Sequence, residues 1–474
     1  MTSQQFNASE VTALNALAET RFESFWLDSL PPANSESPLQ QDISCDLLIV
    51  GGGFCGLWGA ILAKEKNPVR HIVLIEAVSI ANGASGRPAA IVSTSVMHGI
   101  DNTQRMFPGE VAELENLGKE NIDALIHTLE KYAIDCDLEL GGEMKVSIGD
   151  DGLEAIQEDY ELYNRFGHDA ELLGKADVQA QVRSPLFHGG IWSKKRSGTL
   201  HPGKLVRELK RVALQLGVSI FENTPHISNT YSQGKIQVRT PDARIEASRV
   251  MLATNAFAAG DKRISRRVVA IRDRIVVTEP LTPEQMSLIG WKHRQGIYDT
   301  RTQLNYMRLT SDNRILFGGR LDYFYGNNTA PAFDITPQPY LRLVDAFFNT
   351  FPQLEGQIRI THAWSGPIGL TSRMAVHYQR YHDGNMIFAG GYSGFGVTAT
   401  RFGARVGLAI LDGDDIPETR MEFARTIPAY VPPEPFRWIG AKLTMYALDT
   451  VDEKGGWRRP WVKLVQKMGF PIVL

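Results

Sequence analysis

The sequence predicts an α/β protein in which a nucleotide-type domain is interleaved with an antiparallel-sheet domain and followed by C-terminal helices. Three observations predict this class. A strand, a glycine-rich loop, a helix and a second strand follow one another over residues 46–76. From about residue 274 the apolar residues recur with a period of two, which is typical of antiparallel strands. After Pro432 the apolar residues return to helical spacing.

The first unit carries three regularly spaced glycines directly after an apolar strand. The strand covers residues 47–50 and runs into Gly51, Gly53 and Gly56. Gly51 permits a tight turn, Gly53 lets the backbone approach a pyrophosphate, and Gly56 lets the helix pack closely on the sheet. The pyrophosphate then lies on the unpaired amides at the helix N-terminus. This spacing predicts a Rossmann-like domain.

An acidic residue closes the same unit. The second strand, residues 72–75, ends in Glu76, twenty residues after Gly56. A carboxylate at this place accepts hydrogen bonds from the ribose hydroxyls of a dinucleotide. Residues 47–63 are nearly long enough to span a membrane, but their glycine cluster favours a buried strand and helix. The unit therefore predicts an adenine dinucleotide, with NAD and FAD both open at this point.

Composition agrees with a cytoplasmic enzyme. A chain of 474 residues can bury two cores, and a net charge of −3 gives no basis for nucleic-acid binding. The cysteines Cys45, Cys55 and Cys136 are odd in number and lack metal-type spacing, so we expect a reduced chain without a metal. No HExxH or GxSxG motif is present. The N-terminus lacks a basic region followed by an apolar core, so no secretory signal is expected.

The two predicted domains exchange segments along the chain. Residues 1–40 are expected to form a polar arm with little periodicity, from which Phe22, Phe25 and Trp26 dock on the body. Residues 41–97, 190–262 and 356–425 are assigned to the nucleotide-binding domain, residues 98–189 and 263–355 to a substrate-binding domain, and residues 426–474 to a helical tail.

Periodicity predicts the elements within these domains. Helical spacing covers residues 111–132 and 153–166, which are placed outside the nucleotide-binding domain, and residues 202–216 and 397–411, which are placed inside it. Residues 311–313 form a turn between two strands. The predicted strands are residues 218–221, 236–238, 250–252, 274–278, 303–309, 314–318 and 386–389.

Five segments together resemble one family. They are EAVSIANGASGR (76–87), LHPGKL (200–205), ATNAF (253–257), NYMRLTSDNRILFGG (305–319) and AGGYSGFGVTATRFG (389–403). They resemble the D-amino-acid-oxidase superfamily of FAD enzymes, especially its γ-glutamylputrescine oxidase-like, amine-oxidising branch, over about residues 22–470. The resemblance implies an FAD-binding domain of the glutathione-reductase-2 type interleaved with the antiparallel-sheet substrate domain.

The resemblance also implies which residues contact the cofactor. One segment passes the pyrophosphate and the flavin ring, a second is a turn beside the cofactor, and a third is a C-terminal flavin loop. With the glycine loop and its acid, the predicted set is Gly51, Gly53, Phe54, Cys55, Gly56, Glu76, Ala77, Ala84, Ser85, Gly86, Arg87, Thr254, Asn255, Gly391, Gly394, Phe395, Gly396, Val397 and Thr398.

The sequence departs from the family pattern after Arg87. Similar proteins usually read GASGRNGG, whereas this chain has Pro88, Ala89 and Ala90. Proline removes an amide donor, so ring contacts are expected to differ there. This departure leaves open a non-catalytic dinucleotide-binding protein.

Physical reasoning favours a flavin over a nicotinamide. When a flavin accepts a hydride, negative charge develops around N1 and the C2 carbonyl, and the N-terminus of the helix at Val397 can stabilise it. No cysteine lies near the C-terminal flavin loop, and His98 is the one histidine close after the GASGR segment. We therefore expect non-covalent FAD.

Three residues are predicted on the substrate side. Tyr306 and Arg308 share one strand face, and a phenol beside a guanidinium suits a substrate carboxylate. The alternative is that Arg308 ties its strand to a neighbouring acid. Trp364 resembles a residue that lines the cavity in the family, although a buried tryptophan is often part of a core. Arg320 and Arg373 could meet an anion or be solvated.

The resemblance implies oxidation of the C–N bond of a primary or secondary amine, γ-glutamylated or amino-acid-like. Hydride passes to flavin N5, the imine hydrolyses, and oxygen or another acceptor takes the electrons, with peroxide formed from oxygen. The reacting nitrogen must be neutral, and a pocket of low dielectric favours that form.

The tail leaves an alternative open. Two short amphipathic helices are expected from residues Phe436, Ile439, Leu443, Tyr446, Trp461, Leu464, Val465 and Met468, near Arg458, Arg459, Lys463 and Lys467. Packing on the body is favoured over peripheral membrane contact. Membrane contact would favour a D-amino-acid or N-methyl-amino-acid dehydrogenase that passes electrons to a quinone.

Overall fold

Two mixed sheets of eight strands each form the framework of the described chain. The computed structural model describes residues 8–468. In chain order, the strands are β1 (Ile43–Val50), β2 (Ile72–Ile75), β3 (Ile91–Val92), β4 (Glu143–Ile148), β5 (Ala170–Leu173), β6 (Phe187–Ser193), β7 (Gly198–Thr199), β8 (Ser219–Phe221), β9 (Ser228–Ser232), β10 (Lys235–Arg239), β11 (Arg244–Leu252), β12 (Val269–Thr278), β13 (Gly296–Asp299), β14 (Tyr306–Leu309), β15 (Ile315–Tyr323), β16 (Ile360–Leu370), β17 (His377–Tyr381) and β18 (Met386–Gly390).

The helices lie on these sheets and at their edges. In chain order they are α1 (Ala8–Ala16), α2 (Phe25–Asp28), α3 (Phe54–Lys66), α4 (Ile100–Met106), α5 (Val111–Lys131), α6 (Leu153–Arg165), α7 (Lys175–Gln181), α8 (Pro202–Gln215), α9 (Pro283–Ile289), α10 (Leu341–Thr350), α11 (Gly396–Asp412), α12 (Pro417–Arg420), α13 (Glu422–Arg425), α14 (Phe436–Lys454) and α15 (Arg458–Lys467). The predicted helices and the C-terminal helices are all present.

The first sheet has the parallel core that the glycine unit predicts. Its order is β17-β18-β11-β1-β2-β8, and β10 and β9 attach to β11 as an antiparallel pair. β1 pairs in parallel with β2 on one side and with β11 on the other. Because residues 47–50 of β1 and all of β2 are buried on both faces, they are continuous apolar runs in the sequence.

The second sheet is largely antiparallel, in the order β16-β12-β15-β14-β13-β4-β6-β5. Its one parallel pair in the described chain is β13 with β4. The strand predicted over residues 303–309 begins only at Tyr306, since the Asn305 amide instead donates to the Asp299 side chain. The strand predicted over 314–318 continues to Tyr323 through Gly319 and Arg320, both of which have positive φ.

The structure corrects three predictions of domain organisation. β6 and β16 belong to the second sheet, although residues 190–262 and 356–425 were assigned to the nucleotide-binding domain. Helix α5 was placed outside that domain, but it packs on α11 and shares the core of the first sheet. The N-terminal arm is not featureless, because α1 packs against α10 and buries Ala13. Residues 1–7 of the arm lie outside the described chain.

The C-terminal tail presents a different face from the predicted one. Helix α14 packs on β15, where Ala441 and Met445 contact the cluster that contains Tyr323, and its Ala447 and Leu448 pack with Val462 of α15. The predicted apolar residues of α14 instead face solvent, and the exposed fractions of Phe436 and Ile439 are 68% and 53%. On α15, Trp461 and Val465 pack against α14. Helical spacing predicted an apolar stripe on the helix, but it did not predict which side of the helix packs on the rest of the protein. Residues 469–474 lie outside the described chain.

Among residues 8–468, no helix has both the length and the apolar character needed to cross a membrane.

Candidate active site

A cavity of about 1010 Å³ lies between the two sheets. One side is formed by the carboxyl ends of β1, β2 and β11, and the other by one face of the second sheet. In an open α/β sheet, ligands bind at these carboxyl ends. The predicted cofactor residues that line the cavity are Gly51, Gly53, Phe54, Cys55, Glu76, Ala77, Ala84, Ser85, Arg87, Thr254, Asn255, Gly394, Phe395, Gly396, Val397 and Thr398; Gly56, Gly86 and Gly391 do not line it.

The glycine loop closes one end of the cavity with backbone alone. Gly51 has a φ of +112°, which a residue with a side chain rarely adopts. A Cβ on Gly56 would lie 1.9 Å from the Gly51 carbonyl oxygen. The N-cap of α3 is Gly53, which brings no side chain to cover the helix N-terminus. The loop therefore fits a pyrophosphate.

Glu76 lies beside this loop, as predicted. Its Oε2 accepts from the Gly52 amide at 2.7 Å, and its Oε1 accepts from the Val78 amide at 3.2 Å. Burial raises the pKa of Glu76, and these two amides oppose that shift. A carboxylate has about four lone-pair sites, so capacity remains for ribose hydroxyls. The donor set at this end fits the adenosine half of FAD.

The far end of the cavity is bounded by the N-terminus of α11. Gly391 and Gly394 have φ of +87° and +100°, so the loop before the helix requires glycine there. The Gly391 amide donates to the Asn255 side chain at 2.9 Å, which joins two of the predicted cofactor segments. Gly396 and Val397 open the helix at the cavity wall. This arrangement places a helix N-terminus where charge on a flavin ring can be stabilised.

The departure at Pro88, Ala89 and Ala90 leaves an ordered wall. The Trp26 indole donates to the Pro88 carbonyl at 2.8 Å. The Arg308 guanidinium donates to the carbonyls of Ala89 and Ala90, at 3.3 Å each. All three departing residues line the cavity. The segment is therefore held by its carbonyls.

The structure corrects the prediction for Arg308. Its side chain is 2% exposed and does not line the cavity. Besides Ala89 and Ala90, it donates to the Leu200 carbonyl at 2.5 Å and lies over the Trp26 ring at 5.2 Å. Burial lowers its pKa to about 9. Arg308 therefore joins backbone segments of the wall and does not face a substrate carboxylate.

Trp364 also supports the cavity wall from behind and does not face the cavity. Its indole nitrogen donates to the Arg87 carbonyl at 2.9 Å, and its ring packs with Phe25, Trp26 and Ile275. The side chain does not line the cavity. Trp364 is therefore part of a hydrophobic core, which was the alternative to a cavity-lining role.

Tyr306 does line the cavity, where it meets a carboxylate that the sequence did not reveal. The Tyr306 hydroxyl donates to Asp273 Oδ2 at 2.5 Å. Asp273 lies on the same face of β12 as Ile271 and Ile275, and all three line the cavity. The sequence feature that could have revealed Asp273 is its charge, because it interrupts the apolar face of a buried strand.

Asp273 lacks a cationic partner among the described residues. Its Oδ1 is buried and makes no hydrogen bond. Burial raises the pKa of Asp273 to about 6, against the opposing effects of the Tyr306 hydroxyl and the Arg274 amide. Burial also raises the pKa of Tyr306 well above its ordinary value, so the phenol keeps its proton and donates.

Replacing Asp273 by asparagine is expected to stabilise the apoprotein at pH 7.5. The pKa of about 6 in the fold exceeds the ordinary value of 3.8, so stability falls as pH rises between them. The buried charge costs about 3 kcal/mol at neutral pH. Urea unfolding should show a gain of about 1–3 kcal/mol for Asp273→Asn at pH 7.5 and almost none at pH 4. Equal or lower stability at pH 7.5 would contradict the burial of this charge.

Tyr306 reaches Asp273 by lying over Gly318. A Cβ on Gly318 would lie 2.0 Å from Tyr306 Cε2 and 2.5 Å from its hydroxyl oxygen. Gly318→Ala should therefore displace the ring and lower kcat/KM by about 10- to 100-fold, since small misplacements in a site are costly. Steady-state kinetics check this, with Gly109→Ala as the control, because a Cβ there meets nothing within 4 Å. Unchanged kcat/KM in Gly318→Ala would contradict a role for the Tyr306 ring.

The other predicted candidates occupy varied positions. Arg320 lines the cavity and pairs with Asp449, whereas Arg373 donates to the carbonyls of Phe423 and Thr426. The His98 ring, which lines the cavity, lies 4.3 Å from that of Phe395 between centroids.

The cysteines do not favour a covalent flavin. Cys45 and Cys136 do not line the cavity. Cys55 accepts from the Tyr392 hydroxyl at 3.1 Å, and burial raises its pKa to about 12. The thiol form is a poor nucleophile, so non-covalent FAD remains our prediction.

The cavity has the features of a flavin-dependent oxidoreductase. One end fits a dinucleotide on its glycine loop, the far end is bounded by a helix N-terminus, and an antiparallel sheet forms the opposite wall. The chain belongs to the DAO family of FAD-dependent oxidoreductases, since the family model matches residues 46–407. The predicted family, the FAD cofactor and the enzyme class are confirmed.

Individual relatives agree with this assignment. The chain is 30% identical over 393 residues to the gamma-glutamylputrescine oxidoreductase of Escherichia coli, over 81% of this chain and 88% of the relative. It is 28% identical over 410 residues to the probable oxidoreductase OrdL of Haemophilus influenzae, over 85% and 91%. The solved glycine oxidase from Geobacillus kaustophilus superimposes with a TM-score of 0.68 at 16% identity, over 81% of this chain and 98% of that chain. The solved structure supports the fold.

Proposed function

We propose that this enzyme oxidises the C–N bond of an amine to an imine, which hydrolyses to a carbonyl compound, with oxygen as the electron acceptor and peroxide as the product. The proposal rests on the polar side chains that line the second-sheet side of the cavity, which we call the substrate wall. Asp273 and Tyr306 line it, whereas Arg308, the residue expected to bind a carboxylate, is turned into the core. An acidic wall suits an amine better than an α-carboxylated substrate.

The residues of the chain prepare the amine for oxidation. Bound FAD supplies the hydride acceptor at N5. The apolar walls at Ile271, Ile275 and Ile368 exclude water and favour the neutral form of the reacting nitrogen. A lone pair on that nitrogen is needed, because an ammonium cannot stabilise the cation that grows as hydride leaves. The N-terminus of α11 offers electrostatic stabilisation at the flavin end.

An aerobic assay of the holoenzyme tests this function. We expect γ-glutamylated amines or polyamines to yield peroxide in proportion to the aldehyde formed. D-amino acids and N-methyl amino acids are expected to react at least about tenfold more slowly in kcat/KM, since Arg308 is turned into the core and the guanidinium groups of Arg87 and Arg320 already donate to backbone carbonyls and pair with Asp449, respectively. Peroxide formation confined to α-carboxylated substrates would overturn the proposal.

The exposed face of the C-terminal tail favours a second candidate, a dehydrogenase that passes electrons to a membrane quinone. Solvent reaches Phe436, Ile439, Leu443, Tyr446, Trp457, Leu464 and Met468 on α14, α15 and the turn between them. Arg459, Lys463 and Lys467 lie on α15 beside this apolar face. Apolar and basic residues on a surface helix suit an anionic membrane surface.

Sedimentation with vesicles separates the two candidates. If oxygen is the acceptor, the holoenzyme should stay in the supernatant with anionic phospholipid vesicles, and a soluble quinone should not raise its rate in air. Binding to the vesicles that Ile439→Glu abolishes, together with a quinone-dependent rate well above the rate in oxygen, would favour the dehydrogenase.

A further inference from the structure

We propose that Asp273 and Tyr306 form a subsite for a second, non-reacting cationic group of the substrate, so that the enzyme selects diamines over monoamines. This inference rests on the proposed amine oxidation and names its substrate class. It goes beyond the flavin site, since the subsite belongs to the second sheet and not to the nucleotide-binding one.

The Asp273 carboxylate has an oxygen that no group of the described chain satisfies. Asp273 lines the cavity, and its Oδ2 accepts from the Tyr306 hydroxyl at 2.5 Å, while Oδ1 makes no hydrogen bond. No described cation lies within ion-pair distance of it. The charge of the neighbouring Arg274 lowers the pKa of Asp273, but its guanidinium forms its ion pair with Asp322, at 3.1 Å. A buried carboxylate without a cation is costly unless a ligand supplies the charge.

Aromatic rings line the cavity around this carboxylate. The rings of Tyr306, Tyr298 and Phe395 all line the cavity, and Tyr298 and Phe395 stack with centroids 6.3 Å apart. Tyr298 and Tyr306 are directly opposite each other on paired strands. Aromatic faces beside a carboxylate are typical of sites that bind ammonium groups.

The arginines that line the same wall do not cancel this charge. Arg320 pairs with Asp449, and Arg342 pairs with the same carboxylate. The Arg87 guanidinium donates to the carbonyls of Asn82 and Ser365, at 3.2 and 3.1 Å. These cations are held by other acceptors, so Asp273 remains available to the substrate.

The chemistry of hydride transfer excludes the reacting nitrogen as the partner of Asp273. A fixed carboxylate beside an amine raises the amine pKa and holds it as ammonium. Hydride transfer needs the neutral form, so a carboxylate at the reacting nitrogen would oppose the chemistry. Asp273 therefore suits a second nitrogen, which stays protonated while the first is oxidised.

Anaerobic flavin reduction by matched substrates tests the subsite. With the wild-type holoenzyme, 1,4-diaminobutane should reduce the flavin at least about 30-fold more efficiently than butylamine, because a buried charge pair contributes that much. In Asp273→Asn the ratio of the two efficiencies should fall to about one, whatever the absolute rate with butylamine. Asp151→Asn, an exposed change of the same type, should keep the wild-type ratio.

A binding titration gives a readout that does not need turnover. Tetramethylammonium has no lone pair and cannot be oxidised, so its effect on the flavin spectrum reports binding alone. It should bind Asp273→Asn at least about tenfold more weakly than wild type. An unchanged Kd in the variant, or an equal loss of rate for both amines, would overturn the subsite. If no amine reduces the flavin but the tetramethylammonium difference holds, the proposed function fails and the cation subsite stands.

Discussion

Replacing Gly56 with alanine is expected to abolish FAD binding. The added Cβ would lie 1.9 Å from the Gly51 carbonyl oxygen and 3.1 Å from its carbonyl carbon. Both obstacles are backbone atoms of the loop that cradles the pyrophosphate, so no side-chain rotation relieves the contact. The helix must move away from the sheet, and the amides at its N-terminus move with it. We expect less than about a tenth of wild-type flavin per chain, a loss of more than about 1.4 kcal/mol at matched FAD concentration.

Flavin absorbance per purified chain measures this effect. Gly59→Ala on the same helix is the matched control, because its Cβ would meet the flexible Met251 side chain at 3.2 Å and not a backbone atom. The control should keep most of its FAD. A Gly56→Ala protein with full flavin content would show that the loop does not hold the cofactor in this arrangement.

Replacing Arg308 with methionine is expected to destabilise the cavity wall. The change removes the donors to the carbonyls of Ala89, Ala90 and Leu200, which belong to three backbone positions around the flavin segment. The Ala90 carbonyl keeps the Leu200 amide as a donor, at 3.1 Å, so the carbonyls of Ala89 and Leu200 lose most. Each buried carbonyl left without a donor costs about 1–3 kcal/mol, and relief of the buried charge offsets part of this. We expect a net loss of about 2–4 kcal/mol in the free energy of unfolding, with weaker FAD binding.

Urea unfolding and FAD titration measure the loss, with exposed Arg239→Met as the control. At saturating FAD, KM values for amines should stay within about twofold of wild type, since Arg308 does not line the cavity. A selective rise of KM for carboxylated substrates, without loss of stability, would restore Arg308 to a substrate-binding role.

The local sequence pattern was sufficient to predict the structure of the nucleotide-binding end of the molecule. The turn at Gly51, the close approach at Gly56 and the acid at Glu76 depend on residues that are near one another in the chain. Each has a steric or electrostatic requirement that few residue types meet. The family resemblance then placed the flavin loop before α11 in the same cavity.

The substrate wall depends on pairings that strand periodicity alone does not specify. Tyr306 and Arg308 share a face, as predicted, but one end of that face meets the cavity and the other meets Trp26. Asp273 reaches Tyr306 because β12, β15 and β14 are neighbours and Gly318 leaves room for the ring. The same limit applies to α14, where the spacing revealed an apolar stripe but not which side packs on β15.

Anaerobic addition of 1,4-diaminobutane to the purified holoenzyme is the most direct test of the central claim, that this enzyme oxidises amines with its flavin. The visible flavin bands should bleach within the time of a single turnover and return when air is admitted. Persistent flavin bands with diamines, γ-glutamylated amines and monoamines alike, or a protein that binds no FAD when the cofactor is supplied, would contradict it.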